Sequence, residues 1–156
     1  MNYQLDDIDK KILDFLVENT RMPFTEIAKQ MDVSAGTIHV RVKKMEDAGI
    51  ILGSSLSIDY RKLDYHFTAF IGILLTKSNR TQEVLKELST IPNVIEASVI
   101  SGKYNIFCKV RAKNTDDAKR IIYQIDDIQD VMRTESMISM EEYLSDKNRL
   151  INAITI

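Results

Sequence analysis

Apolar and polar positions alternate with one period in the first third of this chain and with another in the rest. Ile8, Ile12, Leu13, Leu16 and Val17 recur at three- and four-residue steps, as do Ile27, Ala28 and Met31, and then Ile38, Val42 and Met45. A helix turns by ~100° per residue, so each set falls on one stripe. The spacing predicts three amphipathic helices, over about Asp6–Glu18, Pro23–Met31 and Ser34–Gly49.

Local signals punctuate these helices. Pro23 suits a first-turn position that needs no backbone N–H. Ser34 is a preferred N-cap, and Gly49 can end the third helix in a left-handed conformation. Between the second and third helices the chain must turn sharply at Asp32, and Asp is one of the few residues other than glycine that tolerates a left-handed backbone. Ala28 supplies the small side chain that two steeply crossing helices need where their axes meet. Residues 1–50 therefore read as a helix-turn-helix domain, winged or plain. A core of about 50 residues is marginal alone and predicts support from a partner or a second domain.

The arc opposite the buried stripe of the third helix holds Gly36, Thr37, Val40, Lys43 and Lys44, with Arg41 on its flank. Such an arc fits a DNA major groove: glycine allows close approach, threonine bonds phosphate or a base edge, valine touches a thymine methyl, and cations neutralise phosphates. Ala35, Gly36, Thr37, Val40 and Arg41 are expected to meet the groove. Ser34, Lys43 and Lys44 are expected to steady the backbone. The plainer alternatives are a helical hairpin whose charged face is only solvated, and an Arg41 that pairs with an acidic neighbour.

After Gly49 the period changes. Residues 51–66 begin as a mixed extended stretch, read as a linker strand, and pass into the polar hinge DYRKLDYH. From Phe67 to Thr76 the run is apolar on both parities, with Phe67, Ala69, Ile71, Ile73 and Leu75 on one face and Phe70 and Leu74 on the other; such a strand is covered on both sides. A helix capped by Asn79 or Thr81 buries Val84, Leu85 and Leu88. Strands Val94–Ser101 and Tyr104–Ala112 follow, joined at Gly102-Lys103, a hairpin signal. Asn114 or Thr115 then caps a helix burying Ala118, Ile121, Ile122 and Ile125, and Val131–Tyr143 reads as the last strand. The order βαββαβ predicts a ferredoxin-like domain over residues 67–143, with both helices on one face of an antiparallel sheet. The fold class is thus α+β, with a C-terminal tail over 144–156. The second sheet face would be covered by another subunit, so at least a dimer is expected; it would bring the second helix-turn-helix that a two-fold DNA site requires.

Charge changes this picture in one respect. The chain has a formal net charge of −2, and residues 1–50 hold seven Lys/Arg against nine Asp/Glu. Without a broad basic surface one copy should grip DNA weakly, and linking several copies raises the effective concentration of each later contact. The 156 residues contain no apolar run long enough for a membrane helix and no leader pattern, which predicts a cytoplasmic protein. Cys108, the one cysteine, shares strand parity with Ile106 and Val110 and reads as core. His39 and His66 show no metal-ligand spacing. No Ser/His/Asp or Cys/His set, phosphate loop, metal cluster or cofactor motif is visible, so catalytic, metal and cofactor residues are expected to be absent. An enzyme with a ferredoxin-like domain and an architectural or metabolite-binding protein that coats DNA without preference remain as alternatives.

Over nearly its whole length the sequence resembles the Lrp/AsnC, or feast/famine, family of transcription regulators. The matching stretches are LDDIDKKIL (Leu5–Leu13), IAKQMDVSAGTIHVRVKKMEDAGII (Ile27–Ile51), IDYRKLDY (Ile58–Tyr65), SGKYNIFCKV (Ser101–Val110) and RTESMIS (Arg133–Ser139). The resemblance implies DNA binding as dimers, often assembled into tetramers or octamers, and sensing of an amino acid or related metabolite between dimers. It implies effector contacts at Ser101, Gly102, Lys103, Tyr104 and Asn105, with Asp127, Thr134 and Ser136 as neighbours. Backbone N–H groups near a glycine turn suit a ligand carboxylate, and a carboxylate or amide suits its ammonium. The chain departs from the family pattern at Asn105, where many relatives carry Asp, which leaves Asp127 as the substitute charge. It departs also at Asp32, where Gly is commoner.

Overall fold

The structure, a computed structural model, describes residues 3–146 and 148–154. They fall into two compact units: the N-terminal residues to Ser57 together with the segment from Leu144, and Ile58–Tyr143.

In the first unit, α1 (Asp7–Glu18), α2 (Phe24–Met31) and α3 (Ala35–Asp47) form around the expected stripes. Asp6 and Asp9 make a reciprocal capping box at the start of α1, each side chain taking the other's backbone N–H and satisfying two orphan donors. Asp32 is left-handed at φ 55° and closes α2. Gly49, at φ 72°, ends α3, after which the Ile50 and Ile51 N–H groups donate back to the Met45 carbonyl. Ile12, Leu13, Ile27, Ala28, Ile38, Val42 and Met45 are buried together as the core. This unit contains no strand among the described residues, so the helix-turn-helix is the plain form. The linker strand expected after Gly49 is likewise unpaired up to a 3-10 turn at Tyr60–Leu63. The segment read as a tail also differs: a one-turn helix, Ile151–Ile154, brings Ile151 onto the three-helix core.

In the second unit, β1 (Phe67–Leu75), α4 (Thr81–Leu88), β2 (Val94–Val99), β3 (Ile106–Ala112), α5 (Thr115–Asp126) and β4 (Val131–Ile138) follow the βαββαβ order. The sheet runs β2-β3-β1-β4, antiparallel throughout. Ala69, Ile71, Ile73 and Leu75 on β1 and Ile106, Cys108, Val110 and Ala112 on β3 pack against Val84 and Leu88 of α4 and Ala118, Ile121 and Ile125 of α5. Asn114 caps α5 by accepting from Asp117 N–H.

Three local expectations are corrected. Neither Asn79 nor Thr81 caps α4, because a 3-10 turn at Ser78–Arg80 leads straight into it and the Thr81 hydroxyl donates to the Ser78 carbonyl. The β2–β3 connection is a four-residue loop, Ser101–Tyr104, closed by Ile100 N–H donating to Asn105 O, rather than a two-residue turn. β4 stops at Ile138; beyond it Glu142 turns to accept from both Lys109 and Arg111.

The other sheet face carries the alternate parity. Phe70 and Phe107 stack there with centroids 5.9 Å apart, and Tyr104 lies beside Phe107. The helices of this unit pack on the opposite side, as the two-sided apolar pattern of β1 requires of a strand in need of a second cover.

Candidate nucleic-acid and effector sites

The outward face of α3 is built by its caps and its buried stripe. Ser34 Oγ accepts from Thr37 N–H at 3.0 Å and lies 2.8 Å from Thr37 Oγ1, so the cap also orients the threonine hydroxyl. Ile38, Val42 and Met45 are buried, which turns Gly36, His39, Val40, Lys43 and Lys44 outward. Val40 is 52 % exposed, unusual for an aliphatic residue in mid-helix. A Cβ added at Gly36 would meet only Ser34 Oγ, at 3.7 Å, so packing inside the unit does not demand a glycine there. Ala35 and Thr37 are half-buried at the first turn. Lys43 pairs with Asp47 at 2.9 Å along the helix, whereas Lys44 has no ion-pair partner among the described residues.

Arg41 departs from the expected arrangement. Its Nη1 donates to Asp6 Oδ2 at 2.7 Å and to Asp9 Oδ1 at 2.9 Å, so the guanidinium points to the start of α1 instead of outward. The two carboxylates raise the arginine pKa, Asp6 most, and the Asp6 carboxyl sits below its ordinary range, first through the Asp9 N–H and then through Arg41. Arg41 adjoins the buried Val42 and lies three residues from Ile38, on the flank of the stripe, within reach of α1. The Asp6-x-x-Asp9 spacing is the sequence signal for that anchor. Of the eight residues read as the DNA surface, six lie at the start or on the outward face of α3; Ala35 packs against the three-helix core, on the Val42 side of the helix, and Arg41 is set apart by its partners.

The effector residues fall in four places: the loop with Tyr104, Asn105 at the register slip, the helix side of β4, and a separate cleft. Ser101, Gly102 and Lys103 are exposed in the loop, with Gly102 at φ 111°. Tyr104 folds back over the open sheet face, its hydroxyl donating to Glu135 Oε2 at 2.6 Å while Lys103 Nζ donates to both Glu135 oxygens. These contacts lower the Glu135 pKa, Lys103 first. Asn105 serves the fold: its Oδ1 accepts from Leu75 N–H at 2.9 Å, at the point where the β1–β4 register slips. Thr134 and Ser136 pair with Ile73 and Ile71 and share their helix side of the sheet, and Thr134 Oγ1 donates to Asp126 at 2.7 Å. Asp127 lines a separate open cleft of about 510 Å³ with Arg80, Glu87 and Asp130. The structure therefore does not gather the eight residues around one small volume. The carboxylate it places beside the loop is Glu135, not Asp127. Alternation along β4 could have found it, because Glu135 pairs with Gly72 on the open face.

Cys108 is buried in the sheet core, and burial pushes its thiol up to about 12. Among the described residues no group of three or more His, Cys, Asp or Glu side chains could hold a metal ion. No helix there is long and apolar enough to cross a membrane.

A helix-turn-helix unit with an outward α3, carried on one chain with a βαββαβ unit, defines a DNA-binding regulator with a ligand-binding module. The AsnC-type helix-turn-helix domain pattern matches residues 5–46, and the Lrp/AsnC ligand binding domain pattern matches residues 68–148. The chain is 40 % identical over 140 residues to the regulatory protein AsnC of Haemophilus influenzae, covering 89 % of this chain and 93 % of that protein. The solved structure of Escherichia coli AsnC superposes with a TM-score of 0.87 at 36 % identity, covering 92 % of this chain and 97 % of the other. A transcriptional regulator from Neisseria meningitidis, solved in complex with L-Met, shares the fold with a TM-score of 0.89 at 20 % identity, covering 97 % and 99 % of the two chains. The chain belongs to the Lrp/AsnC family of transcriptional regulators, DNA-binding proteins that respond to a small ligand.

Proposed function

We propose that this regulator works in the cytoplasm by binding rather than catalysis, as a homodimer or a larger even assembly that reads a two-fold DNA site and responds to an amino acid. The observation that carries the DNA side is the outward helix face: Val40 and Lys44 exposed and Thr37 held by Ser34, over a fully buried Ile38 and Met45. Thr37 and Val40 read base edges, and Gly36 lets the duplex approach closely, while Ala35 packs inward at the helix start. Ser34, Lys43 and Lys44 hold the phosphate backbone. A formal net charge of −2 makes the non-specific grip of one copy weak, which favours two or more linked copies.

The second copy covers the open sheet face, where Phe70, Phe107 and Met137 present apolar surface. The effector enters at the exposed Ser101–Tyr104 loop, where backbone N–H groups about the left-handed Gly102 suit a ligand carboxylate. Thr134, Ser136 and Asp127 lie apart from that loop and are assigned no direct contact. The Neisseria relative was solved with L-Met, which supports an amino acid as the ligand class. Binding is regulatory only if two assembly states differ in affinity for it.

A thermal-shift and sedimentation screen against the twenty amino acids tests this reading. A ligand at about 100 times its Kd adds ~2.7 kcal/mol to the state that binds it. One or a few amino acids should raise Tm and change the sedimentation coefficient; a flat response to all twenty contradicts an amino-acid effector.

A further inference from the structure

We infer that Arg41 is a positioning residue for DNA recognition: clamped by Asp6 and Asp9, it fixes the rotation of α3 about its own axis, and with it the aim of Thr37 and Val40, without touching DNA itself. The Asp9 side chain is 1 % exposed, and both of its oxygens are used, Oδ1 by Arg41 Nη1 at 2.9 Å and Oδ2 by Tyr3 Oη at 3.0 Å and Asp6 N–H at 3.2 Å. Asp6 is used equally fully, with Oδ1 taking Asp9 N–H at 2.9 Å and Oδ2 taking Arg41 at 2.7 Å. One arginine nitrogen thus bridges two carboxylates that each hold the other residue's backbone N–H, with Asp9 bonded to Tyr3 as well.

The remainder of the α1–α3 contact is apolar, with Ile12 and Leu13 in one cluster with Ile38, Val42 and Met45. Apolar burial is non-directional. Hydrogen bonds to charged groups are short and directional. A helix with its side chains is about 10–12 Å across, so a rotation of ~20° moves their tips by about 2 Å, enough to break a hydrogen bond to a base edge. The clamp sits one residue from Val40 and four from Thr37, where any twist of α3 is transmitted directly. Two carboxylates already neutralise the Arg41 charge and hold its guanidinium toward α1, which separates it from Lys44, whose ammonium has no ion-pair partner among the described residues.

The test compares the full-length protein with Arg41→Met, Arg41→Lys and the double variant Asp9→Asn/Arg41→Met, on a selected duplex and a scrambled one across a salt series. The double variant is included because removing Arg41 alone strands a buried carboxylate, which itself destabilises. Melting is recorded for each. The expected result is a folded double variant whose selected-over-scrambled ratio falls about tenfold or more, with scrambled-duplex affinity and salt slope unchanged, and partial recovery in Arg41→Lys. A slope reduced by about one would make Arg41 a phosphate contact instead. An unchanged ratio, or a double variant that no longer folds, overturns the positioning role. The inference rests on α3 reading DNA; failure of that reading shows separately, as a wild-type protein that selects no duplex.

Discussion

Gly72 and Tyr104 lie in face-to-face contact: a Cβ on Gly72 would come within 2.6 Å of the Tyr104 ring. The ring has little freedom to retreat, since its hydroxyl is bonded to Glu135 at 2.6 Å and Lys103 lies 5.1 Å from its centroid. Alanine normally improves on glycine in a strand. Here Gly72→Ala should instead destabilise by about 1–3 kcal/mol through overpacking, read as a lower urea midpoint. In a Tyr104→Ala background the penalty should vanish. An equal loss in both backgrounds would show that the ring contact is not its cause.

Glu142 yields a pH prediction. Its hydrogen bond with Lys109, aided by the charges of Lys109 and Arg111, holds its carboxyl below the usual range. Its folded pKa is below its unfolded one, so its stabilising contribution is complete above the unfolded value, about 4.3, and is lost as pH falls through the folded value. The stability gap between wild type and Glu142→Gln should stay constant from neutrality to about pH 5 and narrow in stronger acid. A gap that widens toward low pH would contradict the assignment.

Cys108 should behave as a core side chain. Buried among Ile71, Val110 and Ile121, with its thiol pushed up to about 12, it offers almost no thiolate at neutral pH. A thiol reagent should modify it only as fast as the second unit opens, with denaturant restoring rapid reaction. Rapid labelling of the native protein would place Cys108 outside the core.

The open sheet face gives an assembly prediction. Phe107→Asp puts a charge beside Phe70 with no second apolar surface able to accept it, so sedimentation should show dissociation to monomers while the far-ultraviolet circular dichroism of the fold is kept. Unchanged assembly would mean that copies associate through another surface.

The parts of the fold that were legible in the sequence are those governed by neighbours along the chain. Ser34, Asp32 and Gly49 act within four residues of their own backbone, and the two-sided apolar run of β1 marks a strand covered twice. The misread parts depend on partners far away. Arg41 looked like a flank of the DNA arc because Asp6 and Asp9 stand 35 and 32 residues upstream. The resemblance implies a ligand contact at Asn105, and the structure adds a role no local pattern announces: its side-chain oxygen accepts from Leu75 N–H across a register slip. Alternation along β4 puts Glu135 on the open face, but its role depends on pairing: its partner Gly72 leaves the space that Tyr104 fills. The loop over Ser101–Tyr104 exceeded its two-residue signal for the same reason, since Tyr104 must lie over the sheet.

Selection of duplexes from a random pool at several salt concentrations, followed by affinities for Thr37→Ala, Val40→Ala and Lys44→Ala on the winner, addresses the role of α3 most directly. The wild type should enrich a two-fold motif; Thr37→Ala and Val40→Ala should relax base preference at defined positions by about 1–3 kcal/mol, while Lys44→Ala weakens all duplexes alike and lowers the salt slope by about one. No enriched motif at any salt, or equal losses from all three substitutions on every duplex, would contradict a base-reading α3.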